Sequence, residues 1–380
     1  MKSYNNLYEK ILNKENIRQA IINVSKHRTT KKDVQRMLQN IDSVVENIYN
    51  LLSTNSFKPS KHKPKIINEH SSKKTRKIIC PTLTEQIIHH LIIQALEPIF
   101  IQKFYTFTIA SIPGKGISYG KKYIEKWLRK LQNKNQKIYI LKIDIRHFFE
   151  SINKNILKQK LRKLIRDDRF YILIKSVIDY DFFSNGLPLG FYTSAWLANF
   201  YLMEFDYFIK QELKISHYMR YMDDMVLMDT NKSKLHRAFT KMQQYLANNL
   251  RLTIKDDWQV FRWSYFDTID NKEKGRCLDY LGFQFRYNRT TIRKSSLYRL
   301  RKKANALYRK RKQNKPLNWY TACQFLSQLG WMLQADTQTY YEKHIKTKVS
   351  IKCLKHIIAS HSRKESKKAN LIAQQQNILL

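Results

Sequence analysis

Hydrophobic and polar positions along the chain predict a mixture of helices and strands. Apolar residues recur at helical spacing in the first sixty positions, which predicts a helical N-terminal extension over 1–60. An apolar helix is expected to begin near Thr84, in "TEQIIHHLIIQALEPIF". By contrast, Ile138 to Ile145 is short and almost continuously apolar, as in a strand buried on both faces. The pattern therefore favours an α+β fold.

Similar patterns continue to the C-terminus. The loop "NGLPLG" precedes a helix that Thr193 or Ser194 is expected to cap. Two short apolar stretches, His217 to Met222 and Met225 to Met228, predict a β-hairpin. A helix from Leu235 to Leu250, a strand pair around "LDYLGFQFRY" and a basic helix over 295–312 follow. The polar composition of 361–380 is that of a disordered tail.

Charge narrows the range of partners. The chain of 380 residues has 71 Lys plus Arg against 30 Asp plus Glu, a formal charge of +41. Such an excess indicates a polyanionic partner, and nucleic acid is the first candidate. No apolar segment is long enough to span a membrane and the N-terminus lacks a signal-peptide pattern, so we expect a cytoplasmic protein without a membrane partner. Four widely spaced cysteines indicate neither a zinc site nor disulfides.

Two adjacent carboxylates occupy the predicted hairpin turn. In "RYMDDMVLM", Asp223 and Asp224 separate the apolar stretches. An Asp pair in a turn is usually a solvated turn former. The alternative is a Mg²⁺ site, because that ion is held by carboxylates together with substrate phosphates. Asp144, at the end of the buried strand, would supply a third carboxylate, since an unpaired charge there would be costly.

These segments together resemble a known family. "IDIRHFF", "GLPLGFYTS" and "YMDD" occur in the order found in reverse transcriptases, and the similarity extends from about Lys74 to Tyr340. "DDWQV", "LGFQF", "RKSS" and "LGWMLQADT" are most similar to bacterial enzymes of diversity-generating retroelements and their relatives. The resemblance implies a right-hand polymerase, with fingers and a palm of antiparallel sheet plus helices over 61–290, a helical basic thumb over 291–360, and the tail beyond it.

The resemblance also implies a catalytic centre. The family's metal-binding aspartates correspond to Asp144, Asp223 and Asp224, with the backbone carbonyl of Ile145 as a further ligand. Two Mg²⁺ ions, for which Mn²⁺ can substitute, would then assist attack of the primer hydroxyl on the α-phosphorus. The implied partners are an RNA template or structured noncoding RNA, a DNA or RNA primer, and deoxynucleoside triphosphates (dNTPs). The resemblance is also compatible with an accessory protein.

Further residues match the family's nucleotide-binding positions. Phe149 corresponds to the aromatic gate that excludes a ribonucleotide 2′-hydroxyl, although it could instead be a core residue beside Phe148. The remaining matches are basic residues for the triphosphate and small residues under the templating base: Lys74, Arg76, Gly190 and Ser194. Nucleic acid is expected to meet the basic face of the predicted thumb helix: Arg299, Arg301, Lys302 and Lys303.

Two departures from the family pattern leave the biological role open. Ala195 stands where diversifying retroelements usually have Gln. Trp258 aligns with a Lys that is proposed to protonate pyrophosphate in the family, and Lys255 is nearby. The sequence is compatible with a retroelement enzyme that copies a dedicated RNA and with an antiviral defence enzyme that works with a noncoding RNA. A catalytically silent RNA-binding protein is disfavoured because all three aspartates are present.

Overall fold

The computed structural model describes residues 3–69, 74–134, 136–180 and 186–377, without the side chains of Glu69, Lys74 and 368–377. The α-helices of these residues are α1 (Leu7–Leu12), α2 (Lys14–Ser25), α3 (Lys32–Gln39), α4 (Ile41–Ser53), α5 (Leu83–Lys103), α6 (Ile117–Gln132), α7 (Phe148–Ser151), α8 (Lys154–Leu164), α9 (Asp168–Ile178), α10 (Tyr192–Tyr201), α11 (Met203–Tyr207), α12 (Lys232–Leu250), α13 (Lys294–Lys312), α14 (Trp319–Met332), α15 (Gln338–Tyr341) and α16 (Ile351–Asn377). Two short π-helical segments of these residues lie at Phe208–Glu212 and Glu342–Lys346.

The strands of the described residues are short and form four small sheets. They are β1 (Lys65–Glu69), β2 (Lys74–Ile78), β3 (Tyr139–Ile143), β4 (His217–Tyr221), β5 (Asp224–Asp229), β6 (Gln259–Arg262), β7 (Tyr265–Asp267), β8 (Lys272–Lys274), β9 (Leu278–Tyr280), β10 (Phe283–Phe285) and β11 (Thr290–Ile292). The α+β class predicted from the sequence is confirmed. The chain divides into two compact units, Met1–Phe261 and Arg262–Leu380.

A four-stranded sheet forms the centre of the first unit. Its strand order is β4-β5-β3-β6, and β5 is antiparallel to both β4 and β3. Ile140, Leu141 and Ile143 of β3 are all buried, although they point alternately to the two faces of the sheet. Both faces of β3 are therefore covered, as its continuous apolar sequence predicts.

Helix α5 has apolar residues on all its faces, and other helices surround it. It contacts α1, α2 and α10, and its buried residues include Ile88, Leu91 and Ile92. Its start is fixed by a capping box, in which the Thr82 hydroxyl accepts from the Glu85 amide (3.3 Å) and the Glu85 carboxylate accepts from the Thr82 amide (2.7 Å). The helix predicted near Thr84 is thus present and begins at Leu83.

The second unit combines small sheets with a layer of helices. β9, β10 and β11 form a three-stranded sheet, and α14 contacts both α13 and α16. The β9–β10 turn places Leu281 and Gly282 at positive φ, and a Cβ on Gly282 would lie 2.9 Å from the Trp331 ring. That ring stacks on Phe283 at 4.8 Å. The segments "LGFQF" and "LGWMLQADT" therefore meet in this core.

Three local predictions were wrong. The residue that precedes α10 is Phe191, so neither Thr193 nor Ser194 caps that helix. Asp224 opens β5 and is paired with Tyr221, so the turn consists of Met222 and Asp223 and contains one of the two aspartates rather than both. The described part of the tail considered disordered is helical, since α16 continues to Asn377. Within the described residues, no helix combines the length and apolar character that crossing a membrane requires.

Candidate active site

The hairpin of β4 and β5 presents two carboxylates at one end of the central sheet. Tyr221 pairs with Asp224, so Met222 and Asp223 alone form the turn. Met222 has φ +54°, a left-handed conformation that is unfavourable for a side chain without a local hydrogen-bonding group. The tight turn leaves Asp223 and Asp224 as neighbours just beyond the buried part of β5.

Asp144 lies beside this turn because β3 pairs with β5. The register sets Ile143 opposite Met225, so the next residue of each strand toward the turn is Asp144 and Asp224. Burial raises the pKa of Asp223 to about 6, and the charge of Asp144 adds to the increase. Asp144 and Asp223 are therefore close enough to repel each other, and the register brings Asp224 to the same end of the sheet.

Lysine side chains lie against this group of carboxylates. The Lys255 ammonium forms an ion pair with Asp144, and the Lys255 backbone amide donates to the Asp144 carbonyl at 2.8 Å. Lys142 lies 3.8 Å from Asp224. Burial lowers the pKa of Lys255, but its contact with Asp144 outweighs this and raises the pKa above its ordinary value. The lysines thus compensate part of the negative charge.

No three His, Cys, Asp or Glu side chains of the described residues are arranged as a ready-made metal cluster. The donor chemistry nevertheless fits a divalent cation, because carboxylate oxygens are the ligands that Mg²⁺ prefers. The raised pKa of Asp223 points the same way, since a bound cation would relieve the repulsion between carboxylates. Ile145, whose backbone carbonyl is the further metal ligand that the resemblance implies, is buried and forms an antiparallel β-bridge with Ile254.

The loop 186–190 joins two other predicted positions to this end of the sheet. The Leu187 amide donates to the Phe149 carbonyl at 2.7 Å, and the Ile79 amide, just after β2, donates to the Leu189 carbonyl at 2.8 Å. Gly190 has φ +107°, and a Cβ there would lie only 2.0 Å from the Ile79 carbonyl oxygen. The structure therefore requires glycine at 190 for contact between two backbone segments.

The remaining nucleotide-binding candidates lie around this loop. Phe149 is half-buried, with its ring edge-on to Phe148 at 5.6 Å. The Ser194 hydroxyl is buried and donates to the Pro188 carbonyl at 2.7 Å, so it supports the loop from beneath. Arg76, on β2, is exposed, and its charge acts to lower the pKa of Asp223. Lys74 opens β2, but its side chain lies outside the described residues.

Sequence reasoning missed a buried ion pair next to the hairpin turn. Arg220 and Asp206 are both fully buried and joined by two hydrogen bonds of 2.7 and 2.6 Å. The signal in the sequence was an arginine inside an apolar strand, which requires a partner. Its partner could not be identified from sequence spacing, because Asp206 lies on α11.

The basic residues predicted to meet nucleic acid lie on α13. Arg299, Arg301 and Lys302 are exposed, whereas Lys303 is half-buried. A shallow groove on this helix is lined by cationic, aromatic and small side chains: Tyr298, Arg301, Lys302, Asn305, Ala306 and Arg309. Cations beside an exposed tyrosine are a combination that binds both the backbone and the bases of nucleic acid.

Comparison with known proteins identifies the family. A family model described as reverse transcriptase (RNA-dependent DNA polymerase) matches residues 58–285, which is more than half of the chain. The chain therefore belongs to the reverse transcriptase family. The match confirms the reverse transcriptase suggested by the motifs and is consistent with a bacterial member of the family.

The individual proteins that match this chain have low sequence identity to it. Protein YkfC of Escherichia coli K12 is 26% identical over 149 residues, covering 37% of this chain and 39% of that protein. The chain thus aligns with about two fifths of this curated relative. Telomerase from Candida albicans, in complex with a TWJ fragment of telomeric RNA, has a TM-score of 0.47 at 12% identity, over 80% of this chain and 58% of the other. Apo telomerase from Candida tropicalis has a TM-score of 0.43 at 12% identity, over 62% of this chain and 56% of the other.

Proposed function

We propose that this chain is an RNA-directed DNA polymerase that makes cDNA by two-metal nucleotidyl transfer. The observation that carries the proposal is the convergence of Asp144, Asp223 and Asp224 at one end of the central sheet, within a chain of the reverse transcriptase family. Residues 61–290 would form fingers and palm, and 291–360 the thumb. The charge of +41 supports a nucleic-acid substrate.

The chain's own residues account for the steps around the reacting atoms. Asp144, Asp223 and Asp224, with the Ile145 carbonyl, would hold two Mg²⁺ ions, which supply charge stabilisation at the attacking and leaving oxygens. Arg76 would pair with triphosphate oxygens, a role suited to the paired donors of a guanidinium. Lys255 forms an ion pair with Asp144, so its ammonium lies beside the proposed metal ligands.

The loop 186–190 would position the nucleotide sugar. It fixes the backbone of Phe149 through the Leu187 amide, and it is itself fixed by Ile79 and the Ser194 hydroxyl. A half-buried ring held in this way can exclude a 2′-hydroxyl by its volume. We therefore propose that dNTPs are the substrates and that Phe149 selects them.

Extension of an oligo(dT) primer on poly(rA) with dTTP and Mg²⁺ tests the proposal. The wild-type chain should extend the primer, and the double variant Asp223→Asn, Asp224→Asn should not. Asp229→Asn is the matched control, because Asp229 lies on the same strand at the opposite end and pairs with Lys234 at 2.9 Å. Equal extension by the double variant and the control would contradict the mechanism.

We propose further that the template is a dedicated RNA of a diversity-generating type of retroelement. The motifs "LPLGFYTS" and "LGWMLQADT" support this assignment, and Ala195 departs from it. Sequencing the neighbouring DNA separates this role from antiviral defence. Paired template and variable repeats are expected for diversification, whereas a structured noncoding RNA gene without a target gene would indicate defence.

A further inference from the structure

A buried polar network lies directly beneath the hairpin turn. The Arg220 guanidinium binds both Asp206 oxygens, through Nε at 2.7 Å and Nη2 at 2.6 Å. Arg220 Nη1 donates to the Asn199 side-chain oxygen at 2.9 Å and to the Met222 carbonyl at 3.1 Å. The Arg220, Asp206 and Asn199 side chains are buried, so the bonds among them form in a medium of low polarity, where they are strong. The bond to the Met222 carbonyl is partly buried.

The contact with Met222 distinguishes this network from an ordinary buried ion pair. Met222 is the first residue of the two-residue turn, and its left-handed backbone is unfavourable for a methionine. Such conformations persist where the surroundings over-determine them. The Met222 carbonyl is bound by a guanidinium that is itself fixed at two other points, so the turn cannot relax without disturbing the network.

The network also ties the turn to helices far away in sequence. Asp206 lies on α11 and Asn199 on α10. The Thr108 hydroxyl, in the segment that follows α5, donates to Asp206 at 3.0 Å. The backbone of Arg220 is held at the same point, since its amide donates to the Phe107 carbonyl and its carbonyl accepts from Ile109, both at 3.0 Å. The helices thereby fix the guanidinium, and the guanidinium fixes the turn.

We propose that Arg220 is a positioning residue, which holds the Met222–Asp223 turn so that Asp223 and Asp224 point to the reacting atoms, with Asp206 and Asn199 orienting the guanidinium. This inference rests on the proposed polymerase function. A displacement of about 1 Å in a catalytic group can lower a rate about a hundredfold. Arg220 therefore affects turnover without touching substrate.

Arg220→Lys tests the proposal, because lysine keeps the charge opposite Asp206 but cannot bind Asp206, Asn199 and Met222 together. The full-length variant is compared with wild type and with Tyr105→Phe, which removes a different buried hydrogen bond to the same strand, from the Tyr105 hydroxyl to the Tyr218 carbonyl (3.1 Å). The readouts are thermal unfolding, kcat and KM for dTTP on oligo(dT)-primed poly(rA), and hydrogen–deuterium exchange in 219–228 without metal or nucleotide.

Both variants should unfold at lower temperature than wild type. Below that temperature, Arg220→Lys should lower kcat about ten- to a hundredfold with little change in KM, and should speed exchange at Asp223 and Asp224. Tyr105→Phe should keep wild-type kcat and exchange at the turn. Wild-type kcat and exchange in a folded Arg220→Lys variant would overturn the proposal.

Asn199→Ala provides a second route if Arg220→Lys does not fold, because it leaves the Arg220–Asp206 pair intact. It should show the same faster exchange and lower kcat, and wild-type values for both would equally overturn the proposal. The exchange measurement needs no activity. If wild type fails to extend the primer, the proposed function fails, while exchange at the turn still decides whether Arg220 positions it.

Discussion

Lys255 holds Asp144 through two contacts: an ion pair from its ammonium, and a 2.8 Å hydrogen bond from its backbone amide to the Asp144 carbonyl. The ion pair places a cation where the proposed function requires divalent ions. An ammonium and a metal ion compete for the same carboxylate oxygens. Binding of metal at Asp144 should therefore displace the Lys255 side chain while its backbone contact remains.

Replacing Lys255 by Met should strengthen metal binding at this site. The change removes the competing charge, so the rise in unfolding temperature caused by Mg²⁺ should be larger in Lys255→Met than in wild type, since tighter binding to the folded state gives more stabilisation. Thermal unfolding over a Mg²⁺ titration measures the effect. Lys234→Met is the control, because Lys234 pairs with Asp229 at the far end of β5. Equal Mg²⁺ effects in wild type and Lys255→Met would contradict the competition.

Gly190→Ala should destabilise the protein, because the new Cβ would lie 2.0 Å from the Ile79 carbonyl oxygen in a backbone with φ +107°. We expect a loss of more than about 1 kcal/mol in the free energy of unfolding, measured by chemical denaturation. Gly330→Ala is the control. Gly330 lies within α14 and a Cβ there would meet no atom within 4 Å, so alanine should be neutral or stabilising by up to about 1 kcal/mol. Equal effects at the two sites would contradict the packing argument.

Gly190 also shows what sequence could and could not supply. The motif identified the position, but its explanation as space for a nucleotide was incomplete, because the clash is with Ile79, more than a hundred residues earlier. By contrast, the strand pattern and the order of the motifs correctly predicted β3, the hairpin and the grouping of three aspartates. Strand pairing brings these together through a regular register. The Arg220–Asp206 pair and the Lys255–Asp144 contact depend on tertiary packing, for which the sequence has no periodic signal.

Glu85 should make stability depend on pH in the acidic range. Burial alone would raise the pKa of Glu85, but hydrogen bonds from the Ser60 and Thr82 amides and from His62 outweigh it and lower the pKa below its usual value of 4.5. The carboxylate therefore contributes stability that is fully present above pH 4.5 and is lost as pH falls through the lower, folded-state pKa.

Glu85→Gln should accordingly be less stable than wild type near neutral pH, with a difference that shrinks below pH 4.5. Denaturant unfolding at a series of pH values measures this difference. Glu46→Gln serves as the control, because Glu46 forms an exposed ion pair with Lys14 and such pairs contribute little. A difference between wild type and Glu85→Gln that stays constant with pH would show that the carboxylate charge is not responsible.

The groove on α13 should bind nucleic-acid phosphates through Arg301 and Lys302. If each of these side chains meets one phosphate of a single strand, the double variant Arg301→Gln, Lys302→Gln should reduce the slope of log affinity against log salt by about 1.4. Binding of a labelled poly(rA) oligonucleotide at several salt concentrations measures the slope. Lys310→Gln, Lys312→Gln removes the same charge from the end of the helix, outside the residues that line the groove. Equal slopes for the two double variants would argue against the groove.

Phe149 should determine which sugar is incorporated. Its ring is half-buried beside Phe148, and its carbonyl is fixed by the Leu187 amide, so ring volume at this point can exclude a 2′-hydroxyl. Phe149→Ala should admit ribonucleotides while retaining weaker use of dNTPs. Phe149→Tyr keeps a ring of nearly the same shape and should keep the selection.

Incorporation of dTTP and UTP on oligo(dT)-primed poly(rA) measures this selection in wild type and both variants, as the ratio of the two kcat/KM values. Phe149→Ala leaves the carbonyl that binds Leu187, so the loop 186–190 should remain in place and a change in the ratio can be assigned to the lost ring. Loss of both activities in equal proportion leaves this ratio unchanged, and Phe149 would then be a packing residue. An unchanged ratio in Phe149→Ala would place the selection at another residue.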